Sequence, residues 1–175
     1  EEAERVELLI ARRVDGVAIL TGKLSDSQIL GFSKRVPIVA FGRQVAGERV
    51  LGFSLDNYQG ACEAIEFLIT QGHRRIAMIT GPDDHEDARA RLAGYRDTLA
   101  KHRIEVDPNL VVPGDFQESG GLLAVNGLLA ANQRFTAIFA SNDLTAYGAR
   151  LALYRRSIRV PEDISIVGFD DLHSS

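Results

Sequence analysis

Acidic, amide and aromatic side chains follow four short apolar segments of this sequence. The first segment precedes Gly81-Pro82-Asp83-Asp84-His85, the second Gly114-Asp115-Phe116, the third Ser141-Asn142-Asp143 and the fourth Asp170-Asp171. A carboxylate accepts hydrogen bonds from neighbouring hydroxyls, an amide both donates and accepts, and an aromatic ring covers an apolar C–H face. This combination suits a small polyhydroxylated ligand, of which a sugar is the simplest example.

A predicted helix, Glu86–His102, adds a cation to this group. Its apolar residues recur every three or four positions and predict a buried stripe, with Arg91 at the margin of that stripe. The stripe consists of Ala88, Leu92, Tyr95 and Leu99. A guanidinium in this position donates hydrogen bonds in a fixed fork and could reach a ligand. Two plainer interpretations stay open: Arg91 pairs with a carboxylate on a solvated face, and the paired aspartates only form caps and turns.

Strands and helices alternate along the chain, which indicates an α/β fold. The predicted strands are Gly16–Leu20, Pro37–Phe41, Val50–Ser54, Arg75–Thr80, Leu110–Val112, Thr136–Ala140 and Ile164–Phe169. The predicted helices are Glu1–Arg13, Ser25–Lys34, Asn57–Gln71, Glu86–His102, Glu118–Ala131 and Leu144–Ser157. Most strands are continuously apolar, as expected of a parallel sheet covered on both faces. The strands of such a sheet point their carboxyl ends to one edge, where ligands bind.

The composition excludes several classes of protein. With 175 residues and 45% hydrophobic content the chain can bury a core, and its net charge of −4 gives no positive field for a DNA backbone. The single cysteine, Cys62, cannot form an internal disulfide, and no cluster of metal ligands or membrane-spanning segment is apparent. Because the sequence lacks an initiator Met and opens within a helical pattern, we expect it to be a fragment.

Enzymatic motifs are scarce. The dinucleotide-binding glycine pattern and the Walker phosphate loop are both missing from the sequence, so we expect no cofactor. One enzymatic alternative stays open, in which Asp170 and Asp171 hold Mg²⁺ for phosphoryl transfer, although no lysine or hydroxyl partner is evident. We therefore predict a binding protein, with neither catalytic residues nor a metal site.

Four ordered motifs closely resemble the lactose/galactose repressor family of bacterial transcription regulators. They are the segments 72–82, 88–95, 135–143 and 160–171. The resemblance implies a type I periplasmic-binding-protein-like fold with two parallel-sheet α/β subdomains, both incomplete in this chain. Residues 1–55 would then belong to the subdomain next to the DNA-binding headpiece, and residues 56–175 to the distal subdomain.

The resemblance also assigns roles to five residues. Arg91 matches the effector-binding arginine of the family, Asn142 the asparagine after a strand, and Asp170 the first acid of the terminal Gly-aromatic-Asp-Asp motif. Phe116 matches the aromatic residue that stacks on the sugar, and Asp87 falls where members place a small hydroxyl residue near the ligand. We expect these five residues to bind the effector.

One position departs from the pattern of the family. Where many members carry a ligand-binding Asp or Asn, this sequence has Gly42, followed by Arg43. Either the effector is larger than a monosaccharide, which we favour, or Arg43 binds an acidic or phosphorylated ligand.

The family further implies a cytoplasmic homodimer whose missing helix-turn-helix headpiece binds operator DNA. Effector binding would favour one arrangement of the subdomains and thereby change the affinity for the operator. The helix Leu144–Ser157, with Tyr147 and Leu151 on one face, is a candidate dimer contact, although both residues could be ordinary core. The closest alternative function is an exported sugar-binding protein that supplies a transporter.

Overall fold

A computed structural model describes residues 2–20 and 24–172 of the chain. Glu1, with which the first predicted helix starts, lies outside the described residues. The internal contacts divide the chain after Leu55 into two units, unit 1 (Glu1–Leu55) and unit 2 (Asp56–Ser175). Each unit has its own parallel sheet, so the prediction of an α/β fold with two parallel-sheet subdomains is confirmed.

Unit 1 packs two helices against one face of a four-stranded sheet. Its elements are α1 (Glu2–Ala11), β1 (Val17–Leu20), α2 (Asp26–Ser33), β2 (Ile38–Phe41), β3 (Ala46–Gly47) and β4 (Val50–Phe53). The strand order is β1-β2-β4-β3, with only β3 antiparallel. Alternate residues of β1 and β2 enter the core, whereas Leu20 on β1, Phe41 on β2, and Leu51 and Phe53 on β4 are exposed.

Unit 2 is a parallel sheet between two pairs of helices. Its elements are α3 (Asn57–Thr70), β5 (Ile76–Ile79), α4 (Glu86–Lys101), a short 3-10 helix (Pro108–Leu110), β6 (Val111–Val112), α5 (Glu118–Ala130), β7 (Ala137–Ala140), α6 (Asp143–Tyr154) and β8 (Ser165–Val167). The strand order is β6-β5-β7-β8, and all pairings are parallel. Helices α3 and α4 pack together, as do α5 and α6.

The side chains of the central strands fill two separate cores, one on each face of the sheet. Ile76 and Met78 of β5 point to the core that includes α3 and α4. Ala77 and Ile79 of the same strand point to the core that includes α5 and α6. All four residues of β5 and all four of β7 are buried, which explains why these strands are continuously apolar in the sequence.

Capping interactions fix several helix ends where the sequence predicts them. Ser25 and Gln28 form a reciprocal capping box at the start of α2. Gly72 follows α3 with a φ of +95°, a conformation that glycine adopts without the steric cost of a Cβ. Asn142 caps α6, because its Oδ1 accepts a hydrogen bond from the Thr145 amide at 2.9 Å.

Several elements differ in detail from the sequence prediction. The two-residue strand β3 is not predicted, because Ala46–Gly47 is too short to show a period. Leu110 belongs to the short 3-10 helix that Pro108 begins, and not to a strand. Helix α6 begins at Asp143 and ends at Tyr154, so the predicted range Leu144–Ser157 extends three residues too far at its end.

Candidate functional site

The candidate site lies in unit 2, where the chain changes direction between two neighbouring strands. After β5 the chain passes through α4 to the edge strand β6, and after β7 it passes through α6 to β8, on the other side of the sheet. The loops therefore separate outside the carboxyl ends of β5 and β7 and leave a crevice. All five residues that the sequence predicts to bind an effector belong to segments that begin at this edge.

Arg91 is the centre of the site. Its side chain projects from α4 and is 4% exposed, so it lies within the buried face of the helix and not at the margin that the periodicity predicts. Its Nε donates to Asn57 Oδ1 at 2.8 Å, and its Nη1 donates to the Ser141 carbonyl oxygen. Its Nη2 lies 3.4 Å from Asp170 Oδ1. One guanidinium thus connects α3, α4 and the ends of β7 and β8.

Asn57, the first residue of α3, extends this network to Asp87. The Asn57 side-chain amide donates to Asp87 Oδ1 at 2.9 Å, while its oxygen accepts from Arg91. The second oxygen of Asp87 lies 3.9 Å from His85 Nδ1. Asn57 is therefore a relay that holds a carboxylate and a guanidinium in fixed positions.

Two aromatic rings cover the guanidinium. The Cζ atom of Arg91 lies 3.8 Å from the centroid of the Phe169 ring and 5.8 Å from that of Phe116, both within the range of cation–π contacts. A Cβ at Gly81 would overlap the Phe116 ring, so the glycine allows the ring to approach. The edge of the Phe116 ring also meets His85, with centroids 5.2 Å apart.

The loop backbones at the site adopt conformations that most residues avoid. The φ angles are +63° at Phe116, +102° at Asp170 and +56° at Asp171. Such angles cost a residue other than glycine about 1–2 kcal/mol, and they concentrate at functional sites because the surrounding structure must hold them. In this site Asn142 contributes to that support, since its Nδ2 donates to the Phe116 carbonyl oxygen at 3.0 Å.

Burial dominates the electrostatics of the central ion pair. Loss of hydration lowers the pKa of Arg91, and the nearby carboxylate of Asp170 only partly opposes this shift. Loss of hydration likewise raises the pKa of Asp170, against the opposing effect of Arg91. Burial thus disfavours the charged form of both partners, and for Asp170 the nearby carboxylates of Asp143 and Asp87 act in the same direction.

The structure brings all five predicted residues into one set of contacts. Arg91 contacts Asp170 and Phe116, and Asp87 joins through Asn57. Asn142 contributes through its cap and its bond to Phe116. Three further residues, Asn57, His85 and Phe169, are not among the predicted site residues. The first two belong to helix starts near the strand ends, and Phe169 precedes Asp170, so their positions in the sequence contain a usable signal.

Arg43, in unit 1, is already engaged by its own unit. Its Nη1 donates to the Leu24 carbonyl oxygen at 2.5 Å and lies 3.1 Å from Asp26 Oδ1. The guanidinium is thus committed to a helix start, which disfavours the interpretation that Arg43 binds an acidic ligand.

Neither a membrane span nor a metal cluster is found in the ranges 2–20 and 24–172. No helix there combines the length and apolar character that a bilayer crossing requires. No three His, Cys, Asp or Glu side chains in these ranges are grouped closely enough to hold a metal ion.

Comparison with known proteins places this fold and site in a family. The sequence model described as periplasmic binding proteins and the sugar binding domain of the LacI family matches residues 1–175. The transcriptional repressor CytR of Escherichia coli K12 is 34% identical over 173 residues, which cover 98% of this chain and 51% of the repressor. The repressor PurR of Klebsiella pneumoniae is 32% identical and is covered to 51%. The chain therefore spans about half the length of these relatives.

Solved structures show the same similarity in three dimensions. The Escherichia coli repressor AscG superposes with a TM-score of 0.88 at 34% identity, covering 98% of this chain and 63% of that structure. The regulator CelR, solved in complex with cellobiose, superposes with a TM-score of 0.79 at 38% identity, covering 97% and 53% respectively.

CytR, PurR and AscG are all transcriptional repressors. This supports a sensing role over that of an exported sugar-binding protein. The match along the whole sequence and the shared fold agree with the motifs at the strand ends. This chain belongs to the LacI family of transcriptional regulators, to whose effector-binding domain it corresponds.

Proposed function

We propose that this chain senses a small polyhydroxylated effector through the crevice of unit 2 and transmits its binding to operator DNA. The observation that carries the proposal is the buried guanidinium of Arg91, held at the strand ends by Asn57, Ser141 and Asp170. Within the described residues these three bonds use three of its five N–H groups, and the other two can donate to a ligand.

The neighbouring groups supply the remaining chemistry for a sugar. The carboxylates of Asp170 and Asp87 are partly exposed, at 32% and 28% of their side chains, and can accept bonds from hydroxyls. The Phe116 ring lies beside the guanidinium and offers a face for the C–H groups of a pyranose. We propose that Asn142 acts mainly by positioning Phe116, because both ends of its amide bond to the chain itself.

We also propose that the effector is larger than a monosaccharide. Gly42 offers no side chain to a ligand, and the Arg43 guanidinium is bound to Leu24 and Asp26. A structural relative at 38% identity was solved with cellobiose, a disaccharide.

Sensing and DNA binding are linked by the differential affinity of the effector for two conformations of the regulator. We propose that the whole protein is a cytoplasmic regulator with a helix-turn-helix segment, as the names of its relatives indicate for them, and that it catalyses no reaction. Unit 1 is proposed as the part next to that segment, and unit 2 as the distal part.

The outer face of α6 is proposed as a contact of a homodimer. Leu151 and Tyr154 are 40% and 78% exposed there, which is a high exposure for apolar side chains on one helix. The Tyr147 hydroxyl on the same helix is buried and has no hydrogen-bond partner among the described residues. Sedimentation analysis is expected to show a dimer that Leu151→Glu dissociates, whereas a monomeric parent would contradict the contact.

Calorimetric titration with mono- and disaccharides tests the sensing function. Arg91→Lys keeps the charge but loses the planar fork, so we expect it to weaken binding by at least about tenfold. Arg96→Lys on the exposed side of α4 is the matched control and should bind like the parent. If Arg91→Lys fails to fold, Phe116→Leu replaces it and should weaken binding severalfold. Saccharide binding unaffected by these changes would refute the site, and tight binding of a monosaccharide alone would refute the larger effector.

A further inference from the structure

The edge of unit 2 that forms the site is strongly acidic. Four segments follow the strands at this edge: 80–91, 113–117, 141–143 and 168–172. They contain eight carboxylates and two guanidiniums, a net charge of −6 with His85 neutral, whereas the whole chain has a net charge of −4. The carboxylates are those of Asp83, Asp84, Glu86, Asp87, Asp115, Asp143, Asp170 and Asp171. The negative charge of the chain is thus concentrated where a ligand would enter.

The two guanidiniums do not create a site for an anion. Arg91 Nη2 lies 3.4 Å from Asp170 Oδ1, and Asn57 connects Arg91 Nε to Asp87 Oδ1, so the two carboxylates of this network together exceed the charge of its one guanidinium. The second, Arg89, is exposed and donates to the Asp83 carbonyl oxygen at 2.9 Å. Arg91 is therefore not an unopposed positive charge, and one N–H of Arg89 is already used by a backbone carbonyl oxygen.

Acidic surroundings discriminate against anions even at moderate distance. At the effective dielectric of a protein surface, one unopposed carboxylate about 8 Å from an anionic ligand lowers its affinity roughly 30-fold, and screening at physiological salt reduces this to about fourfold. A neutral hydroxyl avoids this penalty and still donates to the same carboxylates. The charge of the ligand, and not only its shape, is therefore selected at this edge.

We propose that the crevice of unit 2 accepts an uncharged saccharide and rejects its anionic derivatives, because Asp87 and Asp170 leave the Arg91 centre with a net negative charge. This inference rests on the proposed sensing function and narrows its ligand class. It excludes uronates and sugar phosphates as the effector, although both have the hydroxyls that the site can bind.

A set of three ligands of nearly equal shape separates charge from size. Cellobiose, its uronic acid and the amide of that acid are titrated into the whole chain; any other saccharide that binds in the earlier titrations can replace cellobiose. The amide and the acid differ mainly in charge. We expect the acid to bind at least about fourfold more weakly than the amide at physiological salt. High salt should narrow this difference in affinity, because salt screens charges but not steric clashes.

Two variants connect the discrimination to Asp87. Asp87→Asn keeps an oxygen for the Asn57 amide but removes one charge, so the gap between acid and amide should shrink about threefold or more. Glu105→Gln is the matched control, since Glu105 is exposed in the loop that follows α4, at the opposite edge of the sheet. The control should leave the gap unchanged.

Inorganic phosphate provides an arm that needs no saccharide. If the inference is correct, phosphate does not bind at Arg91. Any change that phosphate causes in the melting temperature should then be the same in the parent and in Arg91→Lys. A rise in the melting temperature of the parent with phosphate that is lost in Arg91→Lys would overturn the inference. Tighter binding of the acid than of the amide would also overturn it. Neither result would contradict the proposed sensing function. If no saccharide binds, the sensing function fails, and the phosphate arm alone decides whether this edge rejects anions.

Discussion

Replacing Asn57 by alanine tests the buried network without touching a residue that the sequence predicts to bind the effector. Asn57 is 6% exposed, accepts from Arg91 Nε at 2.8 Å and donates to Asp87 at 2.9 Å. Alanine removes both bonds at once and leaves a charged donor and a charged acceptor without this partner. The perturbation therefore measures how much the relay contributes to the free energy of unfolding.

The expected loss of unfolding free energy follows from how deeply Arg91 and Asp87, the two hydrogen-bond partners of Asn57, are buried. A hydrogen bond to a charged group is worth about 1.5–3 kcal/mol when its loss leaves a buried partner unsatisfied. Arg91, at 4% exposure, meets that condition, whereas Asp87, with 28% of its side chain exposed, regains most of its loss from water. We therefore expect Asn57→Ala to cost about 3 kcal/mol, which lowers the melting temperature by roughly 6–12 °C.

Thermal and urea unfolding of the variant and parent provide the measurement. Gln59→Ala on the same helix is the control, because Gln59 is exposed and its side chain donates a hydrogen bond to the exposed Glu63. The free energy of unfolding of Gln59→Ala should stay within about 0.5 kcal/mol of that of the parent. A loss below about 1 kcal/mol for Asn57→Ala would show that Arg91 finds another acceptor, and the description of Asn57 as a relay would then be wrong.

Three further predictions concern separate parts of unit 2. Burial raises the pKa of Asp170, so on acidification this carboxylate takes up a proton in the folded state before it does so in the unfolded state. In urea unfolding, Asp170→Asn should therefore be at least as stable as the parent at neutral pH. This advantage should disappear towards about pH 4, where the carboxylate of the parent is protonated. Gly148→Ala, whose methyl would overlap the backbone of α5, should cost about 2 kcal/mol or more, whereas Gly127→Ala, in open space on a helix, should gain about 0.5–1 kcal/mol. Gly81→Ala should be markedly less damaging in combination with Phe116→Ala, since its methyl overlaps the Phe116 ring; strict additivity in thermal unfolding would contradict that contact.

The sequence predicts the elements of unit 2 well, because its central strands are covered on both faces and the side chains of Asp56 and Asn142 cap α3 and α6. Strand β5, for example, is buried at all four positions and is apolar at all four. Periodicity misplaces Arg91, however, since it assigns charged residues to the margin of a buried stripe. Only the structure shows that a carboxylate, an amide and a ring make its burial possible.

Long-range contacts explain what the sequence could not provide. Asn57 lies 34 residues from Arg91 along the chain and looks like an ordinary first-turn residue of a helix. Arg43 resembles a candidate ligand group in the sequence, but its bond to Leu24 depends on how α2 begins. In both cases the decisive information is a partner distant in sequence, for which neither period nor propensity gives a signal.

The short segment after β8 has a property that follows from the bonds of Asp143. The Asp143 amide donates to the Phe169 carbonyl oxygen at 2.9 Å, and its carboxylate accepts from the Leu172 amide at 2.7 Å. These bonds bracket Asp170, so its carboxylate cannot move far from Arg91 unless the segment opens. The exchange rate of the Leu172 amide hydrogen with deuterated solvent thus reports directly how often this segment opens.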